Sequence, residues 1–347
     1  MFNRLFGLFS HDVGIDLGTA NTLVLVRGKG IMIREPSVVA RHKKTKEILE
    51  IGERARRMLG KTPPTIEAIR PLREGVIADF DATVSMLSYF IRRVHESPGV
   101  FPKVPKPRVV IGIPSGVTEV ERRAVAEAAL SAGAREALLI EEPLAAALGA
   151  GLPVTGSVGS LIVDIGAGTT EIAVISLGGI VLGKSVRVAG DKIDQVIQSY
   201  FRLKYSLLLG ETTAELVKIE TAAAVPQKIE RLTVVRGRDL ETGLPRSIRI
   251  SSAEVREAVL PIFQQILGAI EEILEETPPE LIADIGESGI VLAGGGALTP
   301  GIDQLFSENL KMPVTITEDP LTAVVRGTGH LLEDNVLASR VRLTRGR

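Results

Sequence analysis

The sequence contains no cysteine and no tryptophan, and only 3% of its residues are aromatic. The lack of cysteine excludes disulfide bonds and thiolate metal sites, and it fits a reducing compartment. The four histidines are scattered, with no spacing that would place two on one helix face as metal ligands. No apolar run reaches the roughly 18 residues that span a bilayer. A net charge of −1 over 347 residues also argues against a protein that binds nucleic acid through overall positive charge.

Two similar bends rich in glycine and threonine are the main feature that the sequence does contain. Asp16–Thr22 and Asp164–Thr170 each begin with an acid, have a glycine two residues on and a threonine six residues on. Each lies between two short apolar runs, which predicts a β-hairpin. The chain is long enough for about two domains, so the repeat predicts two similar halves that hold one ligand between them.

The paired bends predict a site for phosphates and a metal ion. Glycines let successive backbone N–H groups converge on phosphate oxygens. The expected backbone donors are Gly18, Thr19, Ala20, Asn21, Gly166, Ala167, Gly168 and Thr169. Asp16 and Asp164 are expected to hold Mg²⁺, largely through water, because Mg²⁺ prefers carboxylates, waters and substrate phosphates. Each bend taken alone is better explained as an ordinary hairpin turn, and only the pair favours the phosphate interpretation.

Two further stretches supply candidates for hydrolysis and for binding a base. Glu142 follows a predicted strand and begins an Ala-rich helix, where it could orient a water in line with the terminal phosphate; Glu141 is the alternative. An acid favoured by the helix dipole would occupy the same position. The backbone of Gly294, Gly295, Gly296 and Ala297 could give a planar base a flat surface, or form only a tight turn.

Two segments are candidates for contact with a membrane. The first has large apolar residues at helical spacing, namely Phe2, Leu5, Phe6 and Phe9. Such a stripe predicts a helix that lies on a membrane or packs onto its own domain. Val100 and Phe101, in a proline-rich loop, suggest a second membrane or partner contact, with simple packing as the alternative. One copy would bind weakly, but an array would bind strongly through avidity.

Local signals also predict several regular elements and one irregular one. The spacing of apolar residues predicts a helix over Asp81–His95. Capping boxes at Thr118 and at Ser251 predict the starts of two more helices, the second running to about Glu276. The basic, aperiodic stretch Arg340–Arg347 predicts a solvated tail.

These motifs, in this order, resemble those of the superfamily of actin, sugar kinases and heat-shock chaperone ATPases. The matching stretches are Asp16–Thr22, Glu142–Gly151, Asp164–Thr170, Ala293–Ala297 and Asp319–Gly329. Within the superfamily the chain resembles the MreB family of bacterial actins over essentially its whole length. The stretches that carry this closer resemblance are Asp16–Thr22, Ile140–Pro153, Val235–Pro245 and Asp319–Gly327.

The resemblance implies an α/β, actin-like fold: two ribonuclease-H-like domains with inserted small subdomains and a nucleotide cleft between them. The resemblance implies an N-terminal membrane-binding segment at 1–10 and a C-terminal helix and basic tail at 331–347 that return to the first domain. The first domain would cover 11–147, with a small subdomain at about 32–70. The second domain would cover 148–330, with a small subdomain at about 182–250.

The resemblance also assigns roles to individual residues. Glu142 matches the hydrolytic glutamate and Thr169 the threonine that senses the γ-phosphate, with Asp164 as the third catalytic residue. Glu215 and Lys218 resemble the pair that faces ribose and adenine, and Gly190 is a further nucleotide-binding position. Leu23 stands where actin has a phosphate-contacting lysine, so slow hydrolysis is expected.

The implied function is that of a filament whose assembly is promoted by ATP and Mg²⁺ and regulated by slow hydrolysis. Members of the family form paired filaments on the inner membrane face, guide the cell-wall elongation machinery and determine rod shape. The expected location is therefore cytoplasmic and peripheral to the membrane, with self, membrane and elongation proteins as partners and no nucleic acid. The sequence leaves open whether GTP substitutes for ATP and whether the chain is the main family member or a paralogue.

Other functions of the same fold are less well supported. A small-molecule kinase would need a substrate-side base and a polar pocket, and none stands out. A chaperone would need a substrate-binding domain after the last motif, where few residues remain. A plasmid-segregating or division-specific relative is disfavoured by the MreB-like stretches.

Overall fold

The computed structural model describes residues 11–96 and 106–345. Within these two ranges, no helix combines the length and the apolar character needed to cross a bilayer. The residues predicted to contact a membrane lie outside the described ranges, so their role stays a prediction. They are Phe2, Leu5, Phe6, Phe9, Val100 and Phe101.

Helices and strands alternate along much of the described chain. The helices are α1 (Glu53–Arg56), α2 (Phe80–Glu96), α3 (Glu119–Ser131), α4 (Glu142–Gly149), α5 (Gly190–Tyr205), α6 (Glu211–Thr221), α7 (Ser252–Glu276), α8 (Pro279–Ser288), α9 (Ile302–Leu310), α10 (Ala323–Glu333) and α11 (Asn335–Arg340). The strands are β1 (Val13–Leu17), β2 (Asn21–Val26), β3 (Gly30–Pro36), β4 (Val39–His42), β5 (Ile48–Ile51), β6 (Ile66–Ile69), β7 (Leu72–Arg73), β8 (Val76–Ile77), β9 (Arg108–Ile113), β10 (Glu136–Glu141), β11 (Ser160–Ile165), β12 (Thr170–Ser176), β13 (Gly179–Val186), β14 (Leu207–Leu208), β15 (Leu232–Asp239), β16 (Pro245–Ser251), β17 (Ile290–Ala293), β18 (Val314–Ile316) and β19 (Thr344–Arg345).

Two large sheets share one strand order. The first runs β19-β10-β9-β1-β2-β3 and the second runs β13-β12-β11-β17-β18. In each, a hairpin meander of three strands is followed by two strands parallel to the first. Both predicted Gly/Thr-rich bends connect the first two strands of the meanders, β1 to β2 and β11 to β12. The internal repeat read from the sequence is therefore confirmed as a repeat of topology.

The central strands are buried on both faces, which explains their continuous apolar runs. Every residue of β11 and β12 is buried, as expected of strands covered by helices on each side. The second sheet packs against α7 through side chains that include Phe263, and against α9 through Phe306. Each large apolar side chain contributes roughly 1.5–3 kcal/mol on full burial. These contacts hold the sheet that carries the second bend.

The two sheets share a third apolar cluster, which contains α4 and α10. Val110 from the first sheet and Ile162 from the second both belong to this cluster, together with Leu144 of α4 and Val324 of α10. The Ala-rich helix α4 packs closely against α10. A Cβ atom added at Gly149 would collide with the carbonyl of Ala323. The two halves are thus joined through a tightly packed pair of helices.

Three smaller sheets extend from the large ones. Strands β5-β4-β6 form one of them, beside α1, and β14-β15-β16 form another, beside α5 and α6. The two-stranded sheet β7-β8 turns at Glu74 and Gly75.

The three local helix signals are confirmed, but the predicted C-terminal tail is only partly so. The helix predicted over Asp81–His95 is α2, and the capping boxes at Thr118 and Ser251 begin α3 and α7. The solvated tail predicted over Arg340–Arg347 is wrong at Thr344 and Arg345, which form β19 and pair with Leu139 and Leu138 of β10. The open edge of β10 supplies unpaired backbone groups, which a short strand can satisfy whatever its side chains.

Candidate functional site

The first bend, Asp16–Thr22, contains backbone amides without a hydrogen-bond partner in the described structure. Ser37 holds this bend in place, because its amide donates to the carbonyl of Ala20 at 2.9 Å and its hydroxyl donates to the carbonyl of Gly18 at 2.6 Å. In the part of the chain that the structure describes, the amides of Thr19 and Ala20 have no hydrogen-bond partner. The bend can therefore donate hydrogen bonds to a ligand.

The second bend is held in a similar way by the start of α5. The amides of Gly190 and Asp191 donate to the carbonyls of Gly166 and Ala167 at 3.2 and 2.8 Å. The amide of Gly166 donates to the carbonyl of Thr169 at 2.9 Å, so it is already used within the bend. Over residues 11–96 and 106–345, the amides of Ala167 and Gly168 have no partner. Gly190 thus holds the second bend in place through the carbonyl of Gly166.

The two bends face each other and touch. A Cβ atom added at Gly168 would lie 2.6 Å from the hydroxyl oxygen of Thr19 and 2.9 Å from the Cα of Glu74. The turn of β7-β8 fits between the bends, because the amide of Gly75 donates to the Thr19 hydroxyl at 3.2 Å. Only glycine allows this approach at position 168. The halves therefore bring both sets of free amides to one cleft.

Four carboxyl groups lie at the floor of this cleft. Asp16 and Asp164 are at the ends of β1 and β11, Glu142 begins α4, and Glu171 is in β12. Burial raises the pKa of Asp16 to about 7. Burial, followed by the charges of Asp16 and Glu171, raises the pKa of Asp164 to about 8. Burial also raises the pKa of Glu142 well above its usual value, with added repulsion from the other three.

The carboxyl cluster fits a divalent cation bound partly by protein and partly by ligand. None of the four acids forms a salt bridge with a lysine or arginine in the described residues. Nor do any three acid or histidine side chains in the described ranges converge to hold a metal by themselves. Mg²⁺ usually takes one or two carboxylates, with waters and phosphate oxygens completing its shell. Asp16 and Asp164 suit that mode of binding.

Glu171 belongs to the cluster but was missed from the sequence. Its carboxylate accepts hydrogen bonds from the amide of Ser115 at 3.0 Å and from the hydroxyl of Ser185 at 2.6 Å. The side chain is 1% exposed, and its pKa is raised mainly by burial. One signal was available, since an acid inside the apolar run Thr170–Ile175 is unusual for a buried strand.

The structure separates the two candidate glutamates at the start of α4. Glu141 lines a different cavity of about 260 Å³, together with Ser115, Leu144 and Arg342. Glu142 lies beside Gly112 and interacts electrostatically with Asp16 and Asp164. Its position beside the other carboxylates makes Glu142 the better candidate for work on a ligand in the cleft.

The glycine-rich loop after β17 packs directly on the strand that carries Asp164. A Cβ atom at Gly294 would collide with the Asp164 carboxylate, and one at Gly296 would collide with Ile165. Gly295 is exposed, whereas Ala297 is fully buried. The loop thus offers the backbone of Gly295 and Gly296 to a ligand, and Ala297 supports it from beneath.

Lys218 and Glu215 both lie near the second bend, and both have protein partners. Lys218 donates to the carboxylate of Asp194 at 2.9 Å and to the carbonyl of Gly190 at 3.2 Å. Glu215, one turn earlier on α6, forms an ion pair with Arg56 at 3.1 Å. That these two side chains face the ribose and adenine of a nucleotide stays a prediction.

The raised pKa values predict that the ligand-free protein loses stability as pH rises from about 5 to 8. Asp16 and Asp164 have pKa values of about 7 and about 8 in the fold, against about 3.9 in an unfolded chain. Between these values the native state holds protons that the unfolded state has released. The free energy of unfolding therefore falls with rising pH, by up to about 1.4 kcal/mol per pH unit for each group.

Urea denaturation at a series of pH values measures this slope. The Asp164→Asn variant is the informative comparison, because it lacks one of the carboxyl groups with a raised pKa and should show a shallower fall in the free energy of unfolding. Equal slopes for the variant and the unaltered protein would contradict a raised pKa at Asp164.

Comparison with known proteins identifies the family of this chain. The family model described as MreB/Mbl protein matches residues 10–340. The cell shape-determining protein MreB of Escherichia coli (strain K12) is 50% identical over 337 residues, which cover 96% of this chain and 96% of that protein. The cell shape-determining protein Mbl of Bacillus subtilis (strain 168) is 48% identical over 327 residues, covering 94% of this chain and 97% of that protein.

Solved structures of MreB5 have the same fold as this chain. The crystal structure of MreB5 of Spiroplasma citri bound to ADP matches with a TM-score of 0.89 at 39% identity, covering 95% of this chain and 98% of that one. The AMPPNP-bound form of MreB5 matches with a TM-score of 0.88.

Duplicated sheets with the same strand order, facing glycine-rich bends and a shared helix pair define an actin-like fold. The fold class implied by the sequence motifs is confirmed. The chain belongs to the MreB/Mbl family of bacterial actins.

Proposed function

We propose that this protein is a bacterial actin that binds ATP with Mg²⁺ and assembles into paired filaments on the cytoplasmic face of the membrane. There it would organise cell-wall elongation, together with proteins of the elongation machinery, and so determine rod shape. The observation that carries the proposal is the pair of facing bends beside four carboxyl groups: within residues 11–96 and 106–345, the amides of these bends have no hydrogen-bond partner at Thr19, Ala20, Ala167 and Gly168, and the carboxyls pair with no lysine or arginine. The names of the relatives and the nucleotides bound to MreB5 support it.

Each part of the cleft suits one part of the nucleotide. The amides of Thr19, Ala20, Ala167 and Gly168 would hold phosphate oxygens, as backbone donors do at other phosphate sites. Asp16 and Asp164 would hold Mg²⁺ through water. Mg²⁺, when bound, supplies positive charge that offsets the phosphates and favours the ionised form of the carboxyls around it. Gly295 and Gly296 would face the base.

Glu142 would orient the water for hydrolysis and accept its proton, because it lies at the cleft floor beside both aspartates. Thr169 would sense the γ-phosphate, as the family resemblance implies, and its methyl group lies next to Gly75 of the intervening turn. Hydrolysis should be slow. Leu23 is buried against Leu25 and Val325, so the position that carries a lysine in actin supplies no cation here.

Membrane attachment through two segments is supported by the residues that border them. His11 follows the N-terminal segment and His95 precedes the proline-rich loop, and their rings lie 6.3 Å apart. Asp12 accepts a hydrogen bond from the amide of Arg108, on the far side of that loop, at 3.0 Å. Both predicted contact segments therefore start from one side of the first sheet, where they could reach one surface together.

Co-sedimentation with anionic liposomes tests the proposal. We expect the full chain to pellet strongly with ATP and weakly with ADP or without nucleotide. A chain lacking residues 1–9 should pellet several-fold less, because each subunit loses apolar side chains that give roughly 1.5–3 kcal/mol on full burial, and an array multiplies the difference.

Pelleting without liposomes serves as the control that separates assembly from attachment. Assembly that persists in the shortened chain, with loss of liposome binding, would assign the anchor to the N-terminus. If nothing pelleted with any nucleotide, the filament function would be contradicted.

A further inference from the structure

One ion pair crosses the cleft between the two small subdomain sheets. The guanidinium of Arg56, at the end of α1, lies 3.1 Å from the carboxylate of Glu215 on α6. The two residues are 159 positions apart, and their side chains are only 32% and 20% exposed. A pair shielded in this way is less screened than one in open solvent.

The neighbouring arginines make no such contact. Arg54 pairs with Glu50 and Arg57 pairs with Glu53, both within the same small region and both highly exposed. Three arginines thus lie within four positions of one another, and Arg56 alone among them reaches the other half in the described structure. The chain therefore provides matched controls for a test of Arg56.

The ion pair lies beside the candidate nucleotide site. Glu215 precedes Lys218 by one turn of α6, and Lys218 contacts the carbonyl of Gly190. Gly190 in turn supports the second bend through the carbonyl of Gly166. A connection from Arg56 to the second bend therefore runs through α6 and the start of α5. Opening the cleft on this side requires the ion pair to separate.

We propose that Arg56 is a positioning residue that retains bound nucleotide: it holds Glu215 across the mouth of the cleft, so that nucleotide leaves only after this pair opens. The inference rests on the proposed function, because it requires a nucleotide in the cleft. Arg56 itself need not touch the ligand. Arg56 fixes the position of α6, and through Lys218 and Gly190 it fixes the second bend. A residue beside the small sheet β5-β4-β6 of the first half thus contributes to nucleotide retention at the second bend.

Release of a fluorescent ATP analogue from the full-length protein with Mg²⁺, chased with excess unlabelled ATP, tests this proposal. The protein is kept at a concentration where light scattering detects no assembly. Arg56→Ala should release the analogue about two- to fivefold faster than the unaltered protein, as expected for loss of a partly shielded charge pair. Arg56→Glu should be faster still, because two carboxylates then repel, and Arg56→Lys should be intermediate. Arg54→Ala and Arg57→Ala should match the unaltered protein.

The dependence of the release rate on salt concentration distinguishes an ion pair from a merely structural role of Arg56. Release from the unaltered protein should accelerate as ionic strength rises, because the pair is screened, whereas release from Arg56→Ala should change little. If nucleotide binds but Arg56→Ala releases it at the unaltered rate, the inference is overturned and the proposed function stands. If the unaltered protein binds no nucleotide, both are overturned.

Discussion

Glu142→Gln is expected to slow ATP hydrolysis by about 10²- to 10⁴-fold while nucleotide binding is retained. The amide has nearly the same shape as the carboxylate but cannot accept a proton from the attacking water. Glu142 lies at the cleft floor, in electrostatic contact with Asp16 and Asp164, where a water next to the terminal phosphate would be placed. Phosphate release in the presence of Mg²⁺ and ATP measures the loss.

The neighbouring acid provides the control for this experiment. Glu141 precedes α4 by one residue and lines the separate cavity that contains Leu144 and Arg342. Glu141→Gln should therefore hydrolyse ATP within about twofold of the unaltered protein. If the effects of the two substitutions were exchanged, the assignment of Glu142 would be wrong and Glu141 would take its role. Binding of a fluorescent ATP analogue should be similar in both variants.

If hydrolysis regulates disassembly, the same variant should also change filament lifetime. Glu142→Gln filaments assembled with ATP should persist longer after dilution than those of the unaltered protein. Equal lifetimes with a large loss of hydrolysis would separate the two events and contradict a regulatory role for hydrolysis.

The features that could be predicted from sequence are those set by short-range rules. The bends at Asp16 and Asp164 depend on glycines and acids a few residues apart, and both were found as hairpin connections. The capping boxes at Thr118 and Ser251 depend on a glutamate three residues on, and both were found. Apolar runs identified the central strands because burial on both faces leaves no polar alternation.

The features that could not be predicted depend on partners far along the chain. Glu171 stands out in the sequence as an acid in an apolar run, but its interaction with Glu142 and Asp164 is known only from the folded structure. The Arg56 and Glu215 pair spans 159 residues and follows no local pattern. The strand at Thr344 forms because β10 has an open edge, which exists only after the first sheet has assembled. Tertiary packing decided each of these.

The close packing of α4 against α10 predicts a large loss of stability when a side chain is added between the two helices. Gly327→Ala is expected to reduce the free energy of unfolding by about 3 kcal/mol or more. The added Cβ atom would collide with the carbonyl of Ala145, and one added at Gly149 would collide with the carbonyl of Ala323. Because both contacts involve backbone atoms, no rotamer change can relieve them. The helices must separate, and the apolar cluster shared by the two sheets must loosen with them.

A glycine-to-alanine substitution at a position with free space should instead raise the free energy of unfolding. Gly268 is in the middle of α7, and a Cβ atom added there meets no atom within 4 Å. Gly268→Ala should therefore stabilise the protein by about 0.5–1 kcal/mol, because alanine favours helix and restricts the unfolded chain. Urea denaturation of both variants measures the two effects. A Gly327→Ala protein as stable as the unaltered one would mean that the helices can separate at little cost. The halves would then be joined far less rigidly than the contacts between α4 and α10 imply.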